Sequence, residues 1–335
     1  MIGWHPDGWI YQQVAQRLAN HGVSLFLWLP VLSELGLLTH THPVIGASGR
    51  PPERFTLDET EDFQFYCPND PANLTAVIDV FDSHFANIGF DGVFLDKIRY
   101  PSFANGADGG LSCFCPHCLE SYAKAGLDAD ALTHLPDVRT PFGATAYQNG
   151  SYQFDDPMWA SFLGLRQDIV FDAISQFVDH LRLDGYQIGL DVFAPFLAPF
   201  VGQDITRLSS LADFVKPMMY ATTNSPAGLP FETNALLANT GQRQPFSQLL
   251  GFDQSHQPFD LQFCANQVTQ LQATSLAPVH VGIEVNQIPG VANTSPAYIS
   301  QCLDAYRDAD GIVLSWNLLD MPPAHLQAVA QSISR

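Results

Sequence analysis

Short apolar runs alternate along the chain with longer segments in which apolar residues recur every three or four positions. The short runs are typical of buried parallel strands and the longer pattern is typical of helices, so the alternation predicts repeated βα units. The predicted strands are residues 23–29, 92–95, 187–193, 214–220, 279–285 and 311–316. The predicted helices are residues 9–19, 73–87, 157–183, 204–211, 231–238, 261–272 and 296–307, with a last helix after Pro322.

This order of elements predicts a single-domain α/β protein, a (β/α)8 TIM barrel that occupies residues 1–335. Residues 1–4 resemble the end of a seventh strand, and residues 248–252 (QLLGF) are the remaining candidate for an eighth. We therefore expect a barrel that could lack its first strand at the N-terminus. Residues 97–156 form a long loop insertion, and loops of that length are usually functional.

The composition fits a large folded domain, because 46% of the 335 residues are hydrophobic and only 14% are charged. The formal net charge of −20 argues against nucleic-acid and anionic-membrane partners, since both bind basic surfaces. Neutral or weakly charged substrates fit better. The sequence contains no signal peptide and no apolar stretch of membrane-spanning length, so we expect a soluble, cytoplasmic protein. Its oligomeric state is left open.

Acidic residues stand at or near the carboxyl ends of three predicted strands, where barrel enzymes have their active sites. They are Asp96, Asp191 and Glu284, each in an apolar context that disfavours an unpaired charge. Glycoside hydrolysis uses two carboxyl groups, one to protonate the leaving oxygen and one to attack or to activate water. The sequence therefore predicts paired catalytic carboxylates. The alternative for each acid is a buried salt bridge or a helix cap.

Asp96 is the strongest of the three candidates because the apolar strand changes there to the polar run DKIRY. Lys97 or Arg99 is expected to hold Asp96 ionised by lowering its pKa, which favours a nucleophilic or charge-stabilising role for Asp96. The proton donor is then either Glu284 or Asp191, raised in pKa by an apolar setting, and the sequence does not choose between these two.

Other polar and aromatic residues at the strand ends are predicted to bind the substrate. A sugar could be oriented by basic and hydroxyl groups and could stack on indole rings, although tryptophan also fills barrel cores, so stacking is favoured for Trp316 alone. The predicted substrate-binding residues are Arg99, Lys97, Tyr220, Trp316, Asn317 and Trp28.

Three cysteines lie within six residues, at Cys113, Cys115 and Cys118, and Cys67 offers a fourth thiol. Four thiolates make a closed tetrahedral Zn²⁺ site, whereas the alternative is a set of reduced thiols or a redox pair. We expect a structural zinc ion that ties the insertion after Asp96 to the loop around Cys67, and no cofactor for catalysis.

The runs GFDGVFLDKIRYPS (residues 89–102), DVFAP (191–195) and VGQDITRLSSLADFVKPMMY (201–220) resemble glycosyl hydrolases with a TIM-barrel catalytic domain. The resemblance implies that Asp96, which ends the DGxxxD stretch, is the functional acid. Cys67, in a CPNxP-like stretch, and the later CxCxxC cluster also resemble the zinc site of barrel β-galactosidases.

These patterns together predict a glycoside hydrolase that cleaves O-glycosidic bonds of an oligo- or polysaccharide. A non-catalytic carbohydrate-binding or scaffold protein on a degenerate barrel is the alternative. A metal-dependent hydrolase or lyase would place histidine at the strand ends, and the predicted strand ends carry none.

Overall fold

The structure is a computed structural model that describes residues 8–33, 38, 41–53, 56–57, 61–252 and 259–333. The predicted strand end at residues 1–4 lies outside the described residues. The strands are β1 (Phe26–Pro30), β2 (Thr56–Leu57), β3 (Glu61–Asp62), β4 (Gly92–Asp96), β5 (Ala144–Gln148), β6 (Ser151–Phe154), β7 (Gln187–Val192), β8 (Phe214–Pro217), β9 (His280–Glu284) and β10 (Gly311–Ser315). The α-helices are α1 (Gly8–Ala19), α2 (Pro71–His84), α3 (Gly106–Gly110), α4 (Pro116–Ala125), α5 (Pro157–Leu183), α6 (Ile205–Leu208), α7 (Leu229–Thr240), α8 (Arg243–Leu250), α9 (Leu261–Thr274), α10 (Pro296–Ala305) and α11 (Pro323–Ile333).

The six predicted strands are confirmed, and they lie side by side in chain order. A parallel sheet has the order β1-β4-β7-β8, and β9 pairs with β10 in parallel. Single parallel bridges, Val215 with Val279 and Met218 with Gly282, join β8 to β9. In the described part of the chain no pairing joins β10 back to β1. The structure is therefore an α/β fold with a barrel-like row of parallel strands, and it does not establish a full eight-stranded barrel.

The prediction that residues 248–252 supply an eighth strand is wrong. Residues 248–250 form the last turn of α8, which buries Phe246, and Gly251 ends the helix in the left-handed conformation at φ 77°. The apolar run QLLGF is thus the end of an amphipathic helix, a pattern that a short apolar segment shares with a buried strand.

Helix α5 matches its predicted bounds because strong signals mark both ends. Asp156 caps the helix by accepting the Met158 backbone N–H at 2.9 Å, and Pro157 occupies the first turn, where its missing N–H has no cost. Gly185, with φ 81°, follows the C-terminus. The apolar residues between these ends are buried in the hydrophobic core.

Aromatic rings fill the inner face of the strand row at its amino-terminal end. The Phe214 ring lies 5.8 Å from Phe94 and 4.8 Å from His280, centre to centre, and both pairs are stacked. A Cβ atom at Gly189 would lie 2.3 Å from Phe214 Cζ, so a larger residue there would displace this layer. Side chains two residues further along each strand share the inner face and lie above the aromatic layer.

The insertion at residues 97–156 has structure of its own. It contains α3, α4, three short 3-10 turns and the antiparallel hairpin formed by β5 and β6. Among the described helices, none is both long and apolar enough to cross a membrane.

Candidate functional site

The strand register brings two of the three predicted acids together. Leu95 on β4 pairs with Leu190 on β7, so Asp96 and Asp191 follow at the same level. Asp191 in turn pairs with Lys216 on β8. Residues opposite each other on neighbouring parallel strands point to the same face, and the strands are about 4.8 Å apart. Asp96, Asp191 and Lys216 therefore form a polar row above the aromatic layer.

Asp96 has both carboxylate oxygens held by N–H donors. The Trp28 indole donates to Oδ2 at 3.0 Å, and the Lys97 backbone N–H donates to Oδ1. Lys97 adopts a left-handed backbone conformation, with φ 50°, that is uncommon for residues other than glycine. Such conformations cluster at functional sites, and this one turns the Lys97 amide back towards Asp96. Trp28 thus fixes the orientation of the candidate nucleophile.

Asp191 forms a buried ion pair. Lys216 Nζ donates to Asp191 Oδ2 at 2.8 Å and to Tyr220 Oη at 2.6 Å, and Asp191 is only 5% exposed. Burial raises the pKa of Asp191 to about 7; Lys216 opposes this rise and the nearby Asp96 adds to it. Burial lowers the pKa of Lys216, but attraction to Asp191 and Tyr220 outweighs burial and leaves it raised. Burial raises the pKa of Tyr220 to about 12. Within the hydrogen-bonded set of Asp191, Lys216 and Tyr220, Asp191 is thus the group whose pKa lies near neutral.

Glu284 lies in a separate, fully buried setting. Its Oε1 accepts the backbone N–H of Thr222 at 2.6 Å, the Thr222 hydroxyl at 2.7 Å and the Tyr298 hydroxyl at 3.1 Å. Burial raises the pKa of Glu284. Strand β8 stands between Glu284 on β9 and Asp191 on β7. The register therefore separates Glu284 from the pair formed by Asp96 and Asp191.

The two basic residues that follow Asp96 are buried against aromatic rings. Lys97 Nζ lies 4.2 Å from the centre of the Phe63 ring. The Arg99 guanidinium lies between Phe65 and Phe193, at 4.4 Å and 4.3 Å from their ring centres. These contacts fix both cations at the start of the insertion, and their predicted role in substrate binding stays a prediction.

Trp316 is the partly exposed aromatic residue next to this row. It is 39% exposed, and its ring lies edge-on to Tyr220 at 5.9 Å between centres. Asn286 Oδ1 accepts the backbone N–H groups of Trp316 and Asn317 at 2.7 Å and 3.0 Å. The Asn317 side chain caps the next turn by accepting the Leu319 N–H at 3.1 Å. Trp316 thus offers a ring face to a ligand, while the Asn317 side-chain oxygen is already engaged.

Sequence reasoning missed two charged residues near the site, Lys216 and Glu232. Lys216 lies between buried apolar positions of FVKPMMY on the face of β8 that carries Phe214, so the alternation contained a signal for it. Glu232 lies in the first turn of α7, and its Oε1 accepts the Ala227 N–H at 2.9 Å. Burial raises the pKa of Glu232 and Arg99 opposes that rise. A single acid in a helical pattern gave no signal of this burial.

The four predicted ligand cysteines come together in one buried cluster. Their sulfur atoms all lie within 4.8 Å of one another, with 3.5 Å from Cys67 to Cys118 and 3.6 Å from Cys67 to Cys115. A tetrahedral zinc ion with Zn–S bonds of about 2.3 Å would hold its sulfurs about 3.8 Å apart. The cluster therefore has the donor set and the spacing to hold a metal ion.

Backbone and side-chain donors surround the sulfur atoms. The N–H groups of Ile45 and Cys115 point to Cys113 Sγ at 3.2 Å and 3.4 Å, and Asn69 Nδ2 points to Cys118 Sγ at 3.8 Å. Hydrogen bonding with Cys113 raises the pKa of Cys67 and Cys118 and lowers that of Cys115. The N–H donors, unlike the thiol–thiol hydrogen bonds, stabilise thiolates and orient metal ligands. The cluster joins the loop of Cys67 to the insertion that begins after Asp96.

Parallel strands that lie side by side in chain order define an α/β fold with a barrel-like row of strands. The structure is similar to the glycoside hydrolase domain of PgaB (BpsB) from Bordetella bronchiseptica, with a TM-score of 0.56 and 15% identity, over 96% of this chain and 77% of that one. Its TM-score with α-L-fucosidase isoenzyme 2 from Paenibacillus thiaminolyticus is 0.49, at 12% identity, over 96% of this chain and 38% of that one. No protein-family model and no curated protein matches the sequence. The likeness to the PgaB domain at this identity concerns the fold alone.

Proposed function

We propose that this protein is a glycoside hydrolase in which Asp96 and Asp191 are the catalytic pair. The observation that carries the proposal is their position at one level on neighbouring strands, close enough that Asp96 raises the pKa of Asp191. A carboxyl group with a raised pKa beside a second carboxyl group suits a reaction that needs a proton donor and a second acidic side chain. The fold shared with the PgaB domain adds support for this class of enzyme.

Asp96 acts as the nucleophile, because two N–H donors orient its carboxylate. Asp191 acts as the proton donor, since its pKa of about 7 keeps a proton available below neutral pH and its Oδ1 has no hydrogen-bond partner among the described residues. Asp191 protonates the leaving oxygen as Asp96 bonds to the anomeric carbon. Asp191 then takes a proton from water, which attacks that carbon and releases Asp96. Lys216 stabilises Asp191 in its ionised form.

The strand spacing favours retention of anomeric configuration. Neighbouring strands are about 4.8 Å apart, and retaining enzymes hold their two carboxyl groups about 5–5.5 Å apart. Inverting enzymes need a wider gap for a water molecule. The proposed substrate is an oligo- or polysaccharide, with Trp316, whose ring contacts Tyr220, as a stacking surface.

Hydrolysis is tested by incubating the protein with agarose, chitin oligosaccharides and hyaluronan and measuring new reducing ends. We expect release from at least one carbohydrate of such a panel, with a product that initially keeps the anomeric configuration of the substrate by NMR. The rate should fall as the pH rises through about 7, because Asp191 then loses the proton that it must donate.

A non-catalytic carbohydrate-binding protein is the second candidate. It is favoured by the engagement of Asp191 in an ion pair with Lys216 and by the full burial of Glu284. Binding of a glycan in an array, without release of reducing ends from that same glycan, would support this alternative over the hydrolase.

We also propose that Cys67, Cys113, Cys115 and Cys118 hold one structural Zn²⁺ ion per chain. The spacing of their sulfurs and the N–H donors around them support a tetrathiolate site. Metal analysis of protein purified without chelators should find about one zinc per chain, and Cys67→Ser should lower that content. A metal-free protein with four freely titrating thiols would contradict the site. Cys264→Ser, at a buried cysteine outside the cluster, is the matched control.

A further inference from the structure

Arg166, on α5, is a fully buried cation, and among the described residues no carboxylate forms an ion pair with it. Its side chain is 0% exposed, and Nη1 donates to the carbonyl oxygen of Phe200 at 3.1 Å. Its Nε and Nη2 atoms have no hydrogen-bond partner in the described part of the chain. A guanidinium stays charged at all ordinary pH values, and a buried charge without a counter-charge is strongly unfavourable. Some other group must therefore balance Arg166.

The remainder of the buried face of α5 shows that packing does not require a cation at this place. Every other buried residue of the helix is apolar, including the neighbours Leu163, Ile169 and Val170. An unbranched apolar residue would fill the same position in the core without burying a charge. The arginine at this position therefore brings into the core a charge that packing does not need.

Tyr100 contacts both Arg166 and the cysteine cluster. Its guanidinium lies over the Tyr100 ring, 4.5 Å from the ring centre, and the Tyr100 hydroxyl is 4.0 Å from Cys118 Sγ. Tyr122 donates its hydroxyl to the backbone oxygen of Cys113 at 2.8 Å. Burial lowers the pKa of Arg166, and the groups that oppose this are Tyr100, Tyr122, Cys118 and Cys113. One layer of tyrosine rings separates the cation from the thiols.

A metal ion bound by the four cysteines would leave a buried negative charge, opposite in sign to that of Arg166. Four thiolates and one divalent cation carry a net charge of −2, and three of the four cysteines are fully buried. N–H donors disperse part of this charge, but an anionic centre in the core still favours a nearby cation. The two buried charges, each unfavourable alone, stabilise each other.

We propose that Arg166 is the counter-charge of the metal–thiolate centre and sets the affinity of that centre for zinc. Arg166 does not ligate the ion; it acts through Tyr100 and the electric field that it creates at the sulfurs. The inference rests on the proposed zinc site, and it is independent of the proposed glycosidase activity.

The test compares zinc affinity in Arg166→Met, Arg166→Lys and the unmodified protein, by competition with a chromogenic chelator. Arg166→Met should bind zinc about 10–100-fold more weakly, which is the usual effect of losing an outer-shell partner. Arg166→Lys keeps the charge and should stay much closer to the unmodified protein. Arg207→Met is the matched control, because Arg207 also lies over a ring, that of Phe171 at 4.0 Å, but is partly exposed and far along the chain from the cysteines.

Co²⁺ substitution supplies a readout that separates charge from ligation. The thiolate-to-cobalt absorption bands should keep their shape in Arg166→Met while the midpoint of the titration moves to higher cobalt concentration. Zinc affinity within twofold of the unmodified protein in Arg166→Met would overturn the proposal. A loss of zinc affinity of about tenfold or more in Arg166→Lys, which keeps the charge, would also overturn it. This second criterion applies even if Arg166→Met does not fold. An unmodified protein that binds no zinc would refute the metal site itself.

Discussion

Replacement of Lys216 by methionine tests the buried ion pair that the candidate site depends on. Lys216 Nζ lies 2.8 Å from Asp191 Oδ2, and the two side chains are 4% and 5% exposed. The pKa of Asp191 is raised from 3.8 to about 7, so the folded protein binds this proton more tightly than the unfolded chain does. The stability that this tighter binding contributes is fully present below about pH 3.8 and is lost as the pH rises through 7. A shift of this size corresponds to about 4 kcal/mol by pH 8.

Lys216→Met removes the cation that keeps this pKa from rising further. At pH 8 the variant must bury an unpaired carboxylate or protonate it, so we expect a loss of about 3–5 kcal/mol in the free energy of unfolding. At pH 5 Asp191 is already protonated, and only the hydrogen bonds of the ammonium group are lost, about 1.5–3 kcal/mol. Urea unfolding at the two pH values measures the difference.

Lys124→Met is the matched control for Lys216→Met. Lys124 and Glu120 form an ion pair of nearly the same length, 2.7 Å, but their side chains are 73% and 64% exposed. Solvent screens such a pair, so its loss should change stability little at either pH. Equal losses for Lys216→Met at pH 5 and pH 8, or a loss at pH 8 no larger than in the control, would refute the reasoning.

Two further predictions concern the space around the site and its exposed ring. Gly282→Ala places a methyl group 2.4 Å from Lys216 Cε and should lower the free energy of unfolding by about 1–3 kcal/mol. Gly164→Ala, whose added methyl group would have nothing within 4 Å outside its own helix, should not lower it. Equal stability of the two variants in urea would contradict the predicted clash with Lys216. Trp316→Ala should weaken binding of a hydrolysed polysaccharide about 3–10-fold by calorimetry, while Trp9→Ala, at an indole 58% exposed on α1, should leave it unchanged. Equal affinities for both tryptophan variants would exclude stacking on Trp316.

The elements with strong local signals were predictable from the sequence. The six parallel strands are short apolar runs, and those of β4, β7, β8 and β9 are mostly buried. Helix α5 has an aspartate cap, a proline and a following glycine at its ends. Residues 248–252 misled because a short apolar run does not distinguish a strand from the last turn of a helix. The cysteine cluster was predictable because three of its members are adjacent in the chain.

The electrostatic partners at the site could not be read from the sequence, because they depend on register and burial. The pairing of Asp191 with Lys216 follows from the alignment of β7 and β8, which no local pattern specifies. The separation of Glu284 from that pair depends on the place of β8 in the sheet. The burial of Arg166 was equally hidden, since an arginine in an amphipathic helix is ordinarily exposed.

Turnover by Asp96→Asn tests the central claim most directly. Once a hydrolysed carbohydrate is known, the release of reducing ends is compared for the unmodified protein, Asp96→Asn and Asp179→Asn, an exposed aspartate on the outer surface of α5. We expect Asp96→Asn to keep the far-ultraviolet circular dichroism spectrum and the zinc content but to lose at least about 1,000-fold in kcat, since Asp96 is the nucleophile of the proposed mechanism. Asp179→Asn should keep full activity. Full activity in a folded Asp96→Asn variant would contradict the account.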